Sequence, residues 1–145
     1  MKIQARIHSV AGAPATAPMV EVSTAGVRRG LPLPPKAEGR GADVNGGGLL
    51  CLAIATCYCN DLYREAGKQG IEVRRVDVEA HAEFGGVGDP AHVLRYEAKV
   101  EARADEEVIL TLMAHTDRVA EVHNTLRKGM EVTLVAARAV PWTGR

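Results

Sequence analysis

The stretch VNGGGLLCLAIATCYCNDLYREAGKQG, residues 44–70, decides the fold. Nothing interrupts a helix from Leu49 to about Gln69, and Gly70 stands where a left-handed C-terminal cap belongs. Asn45, just ahead of the run, is a residue type suited to a helix start. At ~100° per residue, the first turns are apolar on every side, the pattern of a helix buried all round. Polarity enters only in the second half. There Asn60, Asp61, Arg64, Glu65 and Lys68 gather on one side, with Leu62, Tyr63 and Ala66 on the other. The longest apolar run, Leu49 to Cys59, falls far short of the ~20 residues that cross a bilayer. A helix buried in protein is expected, and no membrane partner.

Working outward, Ile3, Ala5 and Ile7 alternate with polar neighbours, which predicts a strand over 2–8. MVEVST (19–24) reads as a second strand, and Gly26 with Arg28–Gly30 turns it into a third. GLPLPPKAEGRGADVNGGG (30–48) is crowded with Pro and Gly and reads as a surface loop. Beyond the helix, IEVRRVDVEAHAEF (71–84) and AHVLRYEAKVEAR (91–103) are strands joined by GGVGDP. Leu94, Tyr96, Ala98, Val100 and Ala102 alternate with charged residues, so one face is solvated, as in an antiparallel sheet. Asp105 is the expected N-cap of a second helix burying Val108, Ile109, Leu112 and Met113, with a break near Thr116 and an end at Lys128–Gly129. Met130 to Arg138 reads as a closing strand. The whole predicts a single α+β domain over 1–145, an antiparallel sheet with a long central helix packed on it.

Composition narrows the function. The 18 Lys+Arg balance the 18 Asp+Glu, and one Trp, three Tyr and one Phe cannot build base-stacking platforms, so no nucleic acid is expected as partner. MKIQARIHSV lacks the features of a secretory signal, and three cysteines are an odd number. Cytoplasmic residence with free thiols follows as the expectation. No dinucleotide, Walker or nucleophile-elbow motif is present, and the histidines at 8, 81, 92, 115 and 123 show no paired ligand spacing. No cofactor and no metal are expected.

The chemistry then rests on a thiol. Cys57 precedes Asn60 by three residues, Asp61 by four and Arg64 by seven, and so lies on the projected polar stripe. Cys51 and Cys59 fall on the apolar side and are expected in the core. Cys57 and Cys59 point ~200° apart and cannot chelate or bridge. Asp61, a carboxylate one turn from Cys57, raises a thiol pKa, so a thiolate would need a cation from another segment, such as Arg28 or Arg29.

The run VNGGGLLCLAIATCYCNDLYREAGKQGIEVRRVDVEA (44–80) resembles the signature region of the OsmC and organic-hydroperoxide-resistance family, and Ala55-Thr56-Cys57 is similar to its Ala-x-Cys. HNTLRKGMEVTL resembles the segment between the family's second cysteine and its last strand. The resemblance implies an OsmC-like intertwined homodimer, with Cys57 as the cysteine that attacks peroxide in an oxidative-stress role. It also implies losses. Ala120-Glu121-Val122-His123 falls on the family's Cys-Pro-x-Ser run, Gly47 on its Glu, and its Arg falls near Ala17, with Arg28 and Arg29 as alternatives. Two functions follow as expectations. One is one-cysteine reduction of organic hydroperoxides by Cys57 with an external thiol reductant, and the other is non-catalytic binding of a small hydrophobic ligand at the dimer interface.

Overall fold

The computed structural model describes residues 1–9 and 18–139. The elements run β1 (Ile3–His8), β2 (Met19–Thr24), β3 (Val27–Gly30), α1 (Gly46–Lys68), β4 (Val73–Phe84), β5 (Ala91–Ala102), α2 (Glu106–Val119) and α3 (Glu121–Lys128). This is the expected α+β class, with antiparallel sheets and three helices. Two compact units are built, one from the described residues of 1–53 and 80–95, the other from those of 54–79 and 96–145.

In the first unit β1, β2 and β3 form an antiparallel sheet in that order, with Ile3 opposite Thr24 and Glu21 opposite Gly30. The β2–β3 turn is made by Ala25 and Gly26, both at positive φ (49° and 85°), the two-residue geometry that matches strand twist. Ala25 is held in this costly conformation by its N–H, which donates to the Lys2 carbonyl at 3.0 Å. Asn45 caps α1, its side-chain oxygen accepting from the Gly48 N–H at 2.9 Å.

In the second unit Tyr58, Leu62 and Ala66 of α1 meet Leu112 of α2 in the core. Val73, Val76 and Val78 of β4 and Tyr96, Ala98 and Val100 of β5 pack against it. From Val76 to Val78 and from Tyr96 to Val100 these are the inward positions of a period-two pattern with charged neighbours facing out, whereas Val73 is separated from Val76 by two exposed arginines. Gly70 (φ 69°) closes α1 as expected, and Gly129 (φ 63°) closes α3.

Several expectations need correction. The helical break falls at Ala120, not Thr116, because the Thr116 hydroxyl donates to the Leu112 carbonyl four residues back and stays inside the helix. Asp105 sits at the N-cap without a side-chain capping bond. Val108 and Tyr63 are exposed. Residues 130–139 form no strand. A strand needs a neighbour for its backbone groups, and neither sheet takes up this segment, so Val132, Leu134 and Val135 stand 97 %, 81 % and 93 % exposed. The first turns of α1 are not covered all round either, since Leu52 is exposed.

Candidate functional site

Helical spacing places Asp61 one turn after Cys57, and the thiol donates to Asp61 Oδ2 at 3.4 Å. Asp61 and Glu65, on the expected polar stripe, are buried at 4 % and 5 % exposure. Residues from α2 and α3 explain how. His115 Nε2 lies 3.1 Å from Glu65 Oε2, and Arg64 and Lys68 donate to Glu65 Oε1 at 2.9 and 2.8 Å. Arg64 Nη1 reaches Asp61 Oδ1 at 2.5 Å and Glu121 Oε1 at 3.7 Å, and the Asp61 and Glu121 carboxyls offer oxygens within 4.8 Å of each other. Glu65 is held down to about 2 by hydrogen bonds from Lys68 and Arg64.

The electrostatics keep Cys57 protonated. Burial pushes its thiol up, and the Asp61 and Glu121 carboxylates push the same way. A backbone hydrogen bond from Val122, in the first turn of α3, pulls against them. The opposing effect of Asp61 was legible in the spacing, although burial is the larger cause. Burial likewise raises Asp61, whereas Glu121 is lowered by its own backbone N–H and by the neighbouring Asp61 carboxyl. The two carboxyls thus differ in proton affinity.

Behind this group, His123 is buried, its ring edge-on to Tyr96 (centroids 4.8 Å apart) and 6.2 Å from Tyr58. Burial holds the imidazole below its ordinary pKa, and neither ring nitrogen has a hydrogen-bond partner among the described residues. The Tyr96 hydroxyl donates to Asp117, which also accepts from Arg127, while the Tyr58 hydroxyl donates to the Met113 carbonyl at 3.1 Å. Burial pushes Tyr58 up to about 12, so both phenols serve as neutral donors.

Sequence reasoning reached Cys57 and Asp61 but missed Glu121, His115 and His123. A signal existed for Glu121, which lies in the run that falls on the family's second-cysteine segment. Cys51 and Cys59 are half-buried, like Cys57, and not core residues. Ala120, which the resemblance sets on the family's second-cysteine run, is fully buried. At Gly47, a Cβ would come within 3.0 Å of Phe84 Cε2, so the ring lies close against the start of α1. Arg28, in the first unit, faces Glu21 at 3.7 Å. Ala17 lies outside the described residues. Cys57, Asp61 and Glu121 offer three donors within 4.8 Å of one another, a spacing a metal could span, but Arg64 already supplies positive charge to both carboxylates. No helix among the described residues is long and apolar enough to cross a membrane.

A family model described as OsmC-like protein matches residues 39–135. The chain is similar in fold to an OsmC-like protein from Mycoplasma pneumoniae, at TM-score 0.60 and 14 % identity, covering 87 % of this chain and 89 % of that one. An OsmC-like protein of unknown function from Vibrio cholerae gives TM-score 0.59 at 12 % identity, with 86 % and 93 % covered. An organic hydroperoxide resistance protein OsmC from Legionella pneumophila gives TM-score 0.50 at 18 % identity, with 88 % and 90 % covered. No curated protein matches the chain. With the family model spanning the long helix, the β4–β5 pair and both later helices, the chain belongs to the OsmC-like family.

Proposed function

We propose that this chain reduces organic hydroperoxides through Cys57 as its single reactive thiol, with an external low-molecular-weight thiol as reductant. The observation that carries the reading is the placement of Cys57: half-buried, its thiol donating to Asp61 at 3.4 Å, with Glu121 of α3 brought to the same sulfur. In the reaction the sulfur attacks the terminal oxygen of ROOH, an S–O bond forms, the O–O bond breaks, and ROH leaves with the thiol's proton. Cys57 becomes a sulfenic acid. One external thiol condenses with it, releasing water, and a second displaces the mixed disulfide to restore Cys57. Membership of a family that includes proteins named for organic hydroperoxide resistance supports the reading.

A homodimer is part of this proposal, since the exposed Leu52, Val132, Leu134 and Val135 are apolar surface that a second copy would cover. Cytoplasmic residence suits three free thiols. A second reading, binding of a small hydrophobic ligand, is favoured by an open groove of about 770 Å³ in the first unit, lined by Met19, Val20, Leu31 and Leu33 with Arg6 and Arg28 at its edge.

Intact mass after one equivalent of cumene hydroperoxide separates the two. One added oxygen, blocked by Cys57→Ser, is the expected result. No mass change supports the binding reading instead.

A further inference from the structure

Three side chains from two helices converge at the sulfur. Cys57 and Asp61 belong to α1, one turn apart, and Glu121 belongs to α3, with their ligand-type atoms all within 4.8 Å of one another. Asp61 is 4 % exposed, whereas the Glu121 side chain is 68 % exposed. The thiol's hydrogen bond to Asp61 and the approach of Glu121 therefore bring together a half-buried thiol, a buried carboxyl and a carboxyl in water. We infer that Asp61 receives the Cys57 proton as the sulfur attacks peroxide, while Glu121 exchanges protons with Asp61 and connects it to solvent.

The inference rests on the hydroperoxide reading and adds the acid–base residue that the reading lacks. Without a base, the attack is slow because the thiol is protonated at neutral pH. With the relay, proton removal accompanies S–O bond formation, and the same proton returns to the departing RO⁻, so no charge is left at the site. Glu121 is a positioning residue, since it acts through Asp61. Arg64 holds both carboxylates from one side, through Nη1, and limits their mutual repulsion. The other titratable groups of these two helices that bear on Asp61 or Glu121 are Glu65 of α1 and His123 of α3.

The test compares two reactions of Cys57 in the wild type, Asp61→Asn and Glu121→Gln, from about pH 6 to about pH 9. One is alkylation by iodoacetamide, which needs only thiolate, and the other is oxidation by cumene hydroperoxide. In Asp61→Asn, alkylation should speed up, because the charge that disfavours the thiolate is gone, while oxidation slows roughly tenfold or more at neutral pH. In Glu121→Gln, oxidation should slow without a matching loss in alkylation, and its pH profile should shift. A merely structural role moves both rates the same way. Both rates falling together, or oxidation unchanged in the exposed Glu121→Gln variant, overturns the relay. A wild type that takes up no oxygen refutes the hydroperoxide reading and the relay with it. A wild type that is oxidised while both variants keep pace refutes the relay alone.

Discussion

Leu62→Ala tests the packing that presents Cys57. Leu62 and Leu112 are fully buried and share the core cluster with Tyr58 and Ala66. The substitution removes three carbons. At ~0.8 kcal/mol per buried CH₂ the transfer loss is about 2.4 kcal/mol. Tyr58 cannot swing into the space freely, because its hydroxyl is tied to the Met113 carbonyl. A residual cavity of about 40 Å³ would add about 1 kcal/mol, for a total of about 3.4 kcal/mol. Urea unfolding followed by circular dichroism, at one fixed protein concentration, should show a lower midpoint with an unchanged slope. With a slope of about 2 kcal/mol/M the midpoint falls by about 1.7 M. A loss under about 1 kcal/mol would mean that the site collapses around alanine and that the α1–α2 contact is loosely packed.

Leu52→Asp places a charge on the exposed apolar part of α1. Sedimentation should show a wild-type dimer and a variant shifted to monomer, and a monomeric wild type at micromolar concentration would remove the dimer proposal. Glu65 is lowered from 4.5 to about 2, chiefly by hydrogen bonds from Lys68 and Arg64. Because its folded pKa is depressed, its contribution is present above 4.5 and disappears as pH falls towards about 2. The urea midpoint of the wild type should therefore drop more steeply over this window than that of Glu65→Gln, and parallel curves would show that the cations around Glu65 add no stability.

What the sequence could reveal follows from which forces act locally. The strands β1, β2, β4 and β5 were legible because alternation is carried by each segment alone, and α1 was legible from its unbroken run between Asn45 and Gly70. The same reasoning failed at 130–139, where alternation is present but the partner that would turn it into a strand is not a property of the segment. The helical wheel placed Asp61 and Glu65 on the side of Cys57 but read their polarity as exposure. Their burial comes from His115, fifty residues on, and from Glu121, sixty residues after Asp61, which no local period encodes. The wheel also separated Cys51 and Cys59 from Cys57, although all three are half-buried. The difference between the thiols lies in what faces them: a buried carboxyl and a helix amide for Cys57. The candidate chemistry thus depends on α2 and α3 packing over a stripe that was visible, through contacts that were not.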